Sequence, residues 1–378
     1  MYLNKDEIIE RLQELSQAQL VDMMMCYQAR KTETRDDKAN KDGLVFDICK
    51  IPPEVRREVE MYEACRDDQI TMHNKKWVET VKALPTKTSR FPDLDKDYLE
   101  YAHEYWKEQV SGLEDIYEKL LLHIVQYLRT GRTRPIIMVG APGCGKTKVM
   151  LTLGEILEMP VHFANAVQMA KGNGLSGTPK TYVSSAPGEP VEAMVRHRRG
   201  NLIFAIDEID KAAMYAGRGG DLQDELLNLT SDETAKYHKD NFLGFTVNTS
   251  HLFIIMTAND LNHISEPLKS RCDVIEFPEP TQEMIADIMV KHTVPKMLDT
   301  LKCRENVRVV DGALSEMVVT LFSSGLRDIR KYQSITENVI NSAFLKSLLT
   351  ASVVEVTFEE LTRAADKQLN KGKRCIGF

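Results

Sequence analysis

The spacing of apolar residues changes along the chain and divides it into helical and mixed segments. In residues 4–30 large apolar side chains recur at the three- and four-residue intervals of an amphipathic helix. Residues 31–43 contain no large apolar side chain, and we interpret them as an exposed linker. The proline pair at 52–53 begins a second predicted helix, because proline is tolerated in a first turn. Further helices are predicted over about 71–83 and 97–107.

Short apolar runs alternate with helical segments in the middle of the chain. A helix is predicted over 114–129 and another from residue 146 to about 157. The strand candidates are 136–139, 161–163, 202–206 and 252–256. Strands that are separated by helical segments are typical of a parallel sheet with crossover helices.

Beyond Pro278 and Pro280 the pattern becomes almost entirely helical. The predicted helices are 281–300, 312–322, 327–349 and 358–369, with one short strand at 353–356. This predicts a small, mainly helical second domain. The fold class is therefore α/β, with a parallel sheet followed by a helical domain and preceded by a helical N-terminal region.

Composition and charge exclude several classes of function. The 378 residues carry a formal net charge of −7, which does not favour binding of nucleic acid. The seven cysteines are scattered and form no C-x-x-C pair, which argues against disulfides and zinc. The N-terminus lacks an apolar signal segment, and the longest apolar runs are too short for a bilayer. We expect a soluble, cytoplasmic protein without membrane contact.

A phosphate-binding motif follows the first predicted strand. It fits the pattern G-x-x-x-x-G-K-[ST] and consists of Gly140, Ala141, Pro142, Gly143, Cys144, Gly145, Lys146 and Thr147. Its backbone N–H groups suit the phosphates of ATP, Lys146 would neutralise them, and the Thr147 hydroxyl would bind Mg²⁺. The alternative is an ordinary glycine-rich surface turn. The preceding strand and the helix that begins at Lys146 favour nucleotide binding.

Polar residues also follow two other strands. Asp207 and Glu208 come directly after the apolar strand 202–206, where we assign Asp207 to Mg²⁺ and Glu208 to polarising the attacking water. Their alternative role is that of helix N-caps. Asn259 follows strand 252–256 and could sense the γ-phosphate, although an isolated asparagine there is usually a turn residue. We interpret Asp210 and Lys211 as surface charges.

Together these segments resemble the AAA+ module of Lon proteases. The similarity lies in the order and spacing of the segments 112–115, 140–147, 181–188, 206–211, 257–259, 266–271 and 325–327, and it extends upstream to 52–55 and 77–85. It covers about residues 50–372. The domains implied are 1–50 (helix and linker), 51–111 (helical region), 112–278 (AAA+ nucleotide-binding domain) and 279–378 (helical lid).

The resemblance implies further roles. Arg271 would be an arginine finger that reaches the γ-phosphate of a neighbouring subunit, and Arg327 would report the nucleotide state to the lid. Tyr182 and Val183 would form an axial pore loop that grips a polypeptide, and Tyr215 would belong to a second one. The alternatives are surface ion pairs for the arginines and half-buried packing for the tyrosines.

The sequence also departs from Lon. We find no serine–lysine peptidase domain after the lid and no large N-terminal substrate domain, so we expect no peptidase site in this chain. The favoured hypothesis is a ring, expected to be a hexamer, that uses ATP to remodel, unfold or translocate a protein partner and that feeds a separate protease or takes a complex apart. A nucleotide-gated switch or assembly factor is the alternative, and a DNA-directed motor is less favoured.

Overall fold

The computed structural model describes residues 44–64, 72–171, 174–182, 184–212 and 222–373. The predicted helix 4–30 and the linker 31–43 lie outside these residues. Among the described residues, no helix is both long enough and apolar enough to cross a membrane.

A five-stranded parallel sheet forms the centre of the α/β part. Its strands are β1 (Ile136–Val139), β2 (Val161–Asn165), β3 (Ile203–Asp207), β6 (Phe253–Ala258) and β7 (Asp273–Glu276), and a separate hairpin contains β4 (His238–Lys239) and β5 (Thr246–Val247). The order across the sheet is β2-β3-β6-β1-β7. The four predicted strands are confirmed. The edge strand β7 was not predicted, because it has four residues of which only Ile275 is fully buried.

The parallel register places the carboxyl ends of the central strands next to each other at the same end of the sheet. Ile206 of β3 pairs with Met256 of β6, and Val139 of β1 pairs with Ala258 of β6. The segments that follow β3, β6 and β1 therefore begin side by side. The central strands are buried on both faces, as expected for a parallel sheet covered by helices.

Helices cover both faces of the sheet and build the rest of the molecule. In the N-terminal and α/β parts the helices are Pro53–Ala64, Met72–Ala83, Lys96–Gln109, Glu114–Thr130, Lys146–Ile156, Ala166–Lys171, Glu189–His197, Ile209–Ala212, Leu222–Thr230, Asp232–Ala235, the short 3-10 turn Leu261–His263, and Glu266–Arg271. The lid contains Gln282–Asp287, a π-helical stretch Ile288–Thr293, Val294–Thr300, Ala313–Ser323, Ile329–Thr350 and Phe358–Lys373. The helices predicted within the described residues are present.

The helices that precede the sheet share its hydrophobic cores. Trp77 is 1% exposed and packs in the same cluster as Phe204 and Ile254 on one face of the sheet. Trp106 is 2% exposed and packs in the cluster of the other face with Ile136 and Phe253. Both tryptophans therefore have a packing role. These helices are therefore fixed to the nucleotide-binding part by burial of large aromatic side chains.

The lid has its own core and a small parallel sheet. Strand β8 (Val307–Val309) pairs with β9 (Val354–Val356), and only the second of these was predicted. Tyr332 and Ile335 of the long helix Ile329–Thr350 are completely buried in this core.

Candidate nucleotide-binding and hydrolysis site

The phosphate-binding loop leaves β1 and enters the helix Lys146–Ile156. Gly143 and Gly145 have φ angles of 80° and 103°, a left-handed region that favours glycine. Gly140 is packed closely, because a methyl group at this position would lie 2.8 Å from Cβ of Phe277. Glycine at these positions lets the loop close over the start of the helix, where unpaired N–H groups can bind an anion.

Lys146 is folded back onto this loop. Its ammonium donates to the carbonyl oxygen of Gly140 at 2.5 Å and to that of Ala141 at 3.1 Å. Cys144 is buried beneath the loop, and the burial raises the pKa of its thiol. Thr147 and Pro142 are exposed. The loop therefore carries an ammonium, an exposed hydroxyl and the first N–H groups of a helix, which are the groups that suit a nucleoside triphosphate.

The end of β3 is tied to the end of β6 by one threonine. The hydroxyl of Thr257 donates to Oδ1 of Asp207. The same hydroxyl oxygen accepts from the backbone N–H of Glu208 at 3.1 Å. Thr257 is only 2% exposed, so these bonds are shielded from water. One buried hydroxyl thus orients both acidic residues, and no role had been predicted for it.

Glu208 has a backbone conformation that is unfavourable for a side chain. Its φ angle is 60°, in the left-handed region, at a cost of about 1 kcal/mol or more. Its carboxylate is paired with Lys211, one helical turn further on. This hydrogen bond to Glu208 raises the pKa of Lys211. Only Oε1 of the carboxylate takes part in this ion pair, and the side chain is partly exposed, so Lys211 orients the group without occupying both of its oxygens.

The interpretation of Asp210 as a surface charge is wrong. Asp210 is 6% exposed, and its Oδ2 accepts from the backbone N–H of Asn259 at 3.1 Å. It joins the helix that follows β3 to the residue that follows β6. The sequence does not indicate that Asp210 is buried, because its side chain becomes enclosed only when β3 and β6 lie side by side. Lys211 is exposed as predicted, but it pairs with Glu208.

The lid touches the phosphate-binding loop through Asp328. A methyl group on Gly143 would lie 2.3 Å from Oδ1 of this residue, so the carboxylate lies directly against the loop. Asp328 also caps the helix Ile329–Thr350 by accepting from the N–H of Arg330 at 3.0 Å. The preceding residue, Arg327, donates to the carbonyl oxygen of Phe322 at 2.6 Å and lies 3.5 Å above its ring. In this structure the lid arginine is folded onto the lid.

Arg271 lies away from the loop of its own chain. It precedes β7, which runs parallel to β1, whereas the phosphate-binding loop follows β1. The two lie at opposite ends of neighbouring strands, separated by about 13 Å for four strand residues. The Arg271 guanidinium is exposed and donates to the carbonyl oxygen of Leu227 at 2.5 Å. The structure does not bring it together with the other predicted site residues of the same chain.

Of the predicted pore residues the structure describes one. Tyr182 is 62% exposed at the tip of a turn in which its N–H donates to the carbonyl oxygen of Pro179 at 3.1 Å. A half-buried packing role for Tyr182 is therefore excluded. Val183 and Tyr215 lie outside the described residues.

The donor set fits magnesium in the presence of a nucleotide. Among the described residues, no group of three or more His, Cys, Asp or Glu side chains could hold a metal alone. Mg²⁺ is usually bound by one or two protein oxygens together with phosphates and water. The exposed Thr147 hydroxyl and the exposed Asp207 carboxylate supply such oxygens.

Comparisons with known proteins agree with this geometry. Residues 136–279 match the family model "ATPase family associated with various cellular activities (AAA)". The Lon protease of Clostridium beijerinckii is 27% identical over 261 residues, which is 68% of this chain and 32% of that protein. The peroxisomal Lon protease homolog 2 of Caenorhabditis elegans is 26% identical over 70% of this chain and 34% of that protein. Lon protease 1 of Bdellovibrio bacteriovorus is 27% identical over 86% of this chain and 41% of that protein.

The sheet, the phosphate-binding loop and the match of residues 136–279 define the class of fold, a P-loop α/β fold of the AAA+ type. This module is Lon-like, and the predicted resemblance is confirmed. The chain spans about a third to two fifths of the length of these curated relatives.

Replacing Thr257 by valine is expected to lower ATP hydrolysis about tenfold, because a hydrogen bond to a charged group contributes about 1.5–3 kcal/mol. Valine keeps the shape of the side chain but leaves Asp207 and the Glu208 N–H without their common partner. Steady-state phosphate release measures the effect. Thr152→Val is the matched control, since Thr152 is also buried and its hydroxyl has no hydrogen-bond partner among the described residues. Equal rates of ATP hydrolysis for Thr257→Val and Thr152→Val would show that the Thr257 hydroxyl has no role in the site.

Proposed function

We propose that this chain is a ring-forming AAA+ ATPase that uses hydrolysis of ATP to remodel, unfold or translocate a protein partner. The proposal rests on one observation: three segments come together at the carboxyl end of the sheet. These are the phosphate-binding loop after β1, the acidic pair after β3 and the Thr257–Asn259 segment after β6. This arrangement suits phosphoryl transfer to water, which depends on positioning and charge stabilisation.

Each segment has a distinct part in hydrolysis. The loop N–H groups and Lys146 bind the β- and γ-phosphates after the lysine leaves the carbonyl oxygens of Gly140 and Ala141. Thr147 and Asp207 would hold Mg²⁺, which supplies neutralisation of phosphate charge when it is bound. Glu208 accepts a hydrogen bond from the attacking water and draws its proton. The Asn259 amide orients the same water next to the γ-phosphate.

The position of Arg271 supports assembly into a ring. An exposed guanidinium at the opposite end of the sheet from the loop can serve a γ-phosphate only in a neighbouring copy. A heterologous contact of this kind closes into a ring when the rotation between subunits allows it. A hexamer is the expected assembly. Arg327 would change its contacts with the nucleotide state, since it adjoins Asp328 against the loop.

The exposed tyrosine supports a protein partner. A Tyr182 side chain with 62% of its surface exposed can contact many polypeptide sequences through its ring. In the proposed ring Tyr182 contacts the partner in the central pore and transmits force to it. The same role is proposed for Val183 and Tyr215 from the resemblance alone.

Tyr182→Ala is expected to abolish unfolding of a protein partner while ATP hydrolysis stays within about twofold of wild type, because the change removes only a contact to the substrate. The measurement is the loss of fluorescence of a fluorescent protein with an unstructured tail, compared with phosphate release. Tyr237→Ala is the control, since Tyr237 is 71% exposed elsewhere on the surface. Unchanged unfolding by the Tyr182 variant would favour a nucleotide-gated switch or assembly factor.

Two further assays define the limits of the proposal. We propose that the chain has no peptidase site, so the fluorescent protein should be unfolded and not cleaved, as gel electrophoresis can measure. Appearance of fragments would contradict this part. If no fragments appear, degradation of the partner would need a separate protease or effector. Salt-sensitive binding to duplex DNA would instead favour a DNA-directed motor.

The proposal also keeps the predicted domain boundaries. These divide the chain after residues 50, 111 and 278.

A further inference from the structure

The segment that carries Tyr182 is closed at its base and open at its tip. We call residues 177–188 the Tyr182 loop. The N–H of Thr178 donates to the carbonyl oxygen of Ala186 at 2.9 Å, and the Thr178 hydroxyl oxygen accepts from the N–H of Ala186 at 3.0 Å. At the end of the loop the N–H of Gly188 donates to the fully buried carboxylate of Asp240 at 2.7 Å. The base of the loop is therefore fixed to the nucleotide-binding part.

A second anchor lies close to the tip and belongs to the helices that precede the sheet. The ammonium of Lys180 lies 2.5 Å from Oε1 of Glu58, in the helix Pro53–Ala64. It also lies 4.0 Å from the centre of the Trp77 ring, in the helix Met72–Ala83. The two helices meet at this point, because the Tyr62 ring packs against the edge of Trp77 at a centroid distance of 6.3 Å.

The other arm of the loop is held by the same helix. The ammonium of Lys76 donates to the carbonyl oxygen of Ser185 at 3.3 Å and lies 5.9 Å from the centre of the Phe242 ring. Lys180 and Ser185 stand on either side of Tyr182. Both arms of the loop are thus connected to residues 53–83.

The physical properties of the Lys180 contact suit an anchor. The side chains of Lys180 and Glu58 are each 31% exposed, so the ion pair is partly shielded from solvent. The Trp77 ring is 1% exposed and cannot move without disturbing the core of the sheet. A cation that lies over an indole face and against a carboxylate gains from both contacts in one position. Lys180 therefore links the Tyr182 loop to the packed helices that carry Glu58 and Trp77.

We propose that Lys180 is a positioning residue, which locks the Tyr182 loop to the Glu58 and Trp77 helices so that these helices determine where Tyr182 meets the substrate. The proposal rests on the proposed function of Tyr182. It also assigns a purpose to residues 53–83: a partner that shifts these helices would change the grip on the substrate without touching the nucleotide site.

The test compares Lys180→Met, Lys180→Arg and Lys82→Met in the full chain. Methionine keeps an unbranched side chain and removes the charge, whereas arginine retains both the ion pair and the stacking on Trp77. Lys82→Met is the matched control, since Lys82 pairs with Glu63 at 2.5 Å between the same two helices, and this ion pair involves no described residue of the Tyr182 loop. Two readouts are used: hydrogen exchange of residues 178–186, and unfolding of the tailed fluorescent protein beside ATP hydrolysis.

Lys180→Met should raise amide exchange in residues 178–186 about fivefold or more and slow unfolding by a similar factor, because contacts of this kind are worth about 1–2 kcal/mol together. ATP hydrolysis should stay within about twofold of wild type. Lys180→Arg and Lys82→Met should resemble wild type in both readouts. Glu58→Gln combined with Lys180→Met should add little to the single change, because both remove the same ion pair.

The outcomes separate this inference from the proposed function. Unchanged exchange of residues 178–186 in Lys180→Met would overturn the anchor, whatever the activity. Faster exchange with unchanged unfolding would also overturn it, provided that Tyr182→Ala abolishes unfolding. If Tyr182→Ala has no effect on unfolding, the proposed function of the loop fails, and the exchange data then decide the anchor alone.

Discussion

Glu208→Gln is expected to lower ATP hydrolysis by about a hundredfold or more while ATP binding remains. Glutamine has nearly the same shape as glutamate, so the bond from the backbone N–H to Thr257 and the left-handed turn should survive. An amide, however, cannot draw a proton from water at neutral pH. The change also removes the ion pair with Lys211, so the lysine loses its partner at the same time. Binding of a fluorescent ATP analogue and single-turnover hydrolysis measure the two effects separately.

The controls for this prediction distinguish the carboxylate of Glu208 from charge in general. Glu316→Gln removes an exposed carboxylate from a lid helix and should leave hydrolysis unchanged. Lys211→Gln removes the partner of Glu208 and should not reproduce the hundredfold loss, since the base itself remains. If Glu208→Gln hydrolyses ATP at the wild-type rate, Glu208 does not polarise the attacking water. The acidic pair would then have a structural role.

Arg271→Ala is expected to lower hydrolysis by about a hundredfold or more, because an arginine finger stabilises charge on the transferring phosphoryl group. ATP binding should persist, since Arg271 lies at the far end of the sheet from the loop of its own chain. Lys269→Ala is the matched control: Lys269 lies on the same helix Glu266–Arg271 and pairs with Glu266 at 2.8 Å. That variant should keep nearly full hydrolysis.

Mixing two inactive variants tests whether Arg271 acts on a neighbour. Arg271→Ala subunits keep Glu208, and Glu208→Gln subunits keep Arg271. In randomly mixed rings at equal amounts, half of the sites have Glu208 and half of those face an intact Arg271, so about a quarter of wild-type hydrolysis should return. If Arg271 acted within its own chain, every site would lack one group and mixing would restore nothing. Size-exclusion chromatography of the mixture would verify that rings form.

The predictions that succeeded depend on residues close together in the sequence. The phosphate-binding loop is contiguous, and the strands β1, β3 and β6 are apolar runs that end in polar residues. Glycine at 143 and 145 was expected in a phosphate loop, and both residues have positive φ angles.

The features that were missed depend on pairs of residues far apart in the sequence. Asp210 was interpreted as a surface charge, yet its carboxylate accepts from the N–H of Asn259, 49 residues further along the chain. Strand β7 was not predicted, because only one of its four residues is fully buried and its apolar pattern is therefore weak. It is recognisable as a strand only through its pairing with β1. The Lys180–Glu58 ion pair joins residues 122 positions apart, and no local pattern in the sequence indicates that this lysine should also lie over an indole ring.

By itself the sequence determined the fold class, a parallel α/β sheet with a helical lid, and predicted a phosphate-binding loop, because hydrophobic periodicity and the glycine-lysine loop are encoded within a few consecutive residues. Only the tertiary structure decided how the site is held together. The order and register of the strands bring Thr257 to Asp207 and Glu208 and leave Arg271 at the other end of the strands from the loop. The position of the lid sets Asp328 against Gly143. Hydrogen bonds between strands depend on which strands become neighbours, and that choice is made by packing of the whole domain.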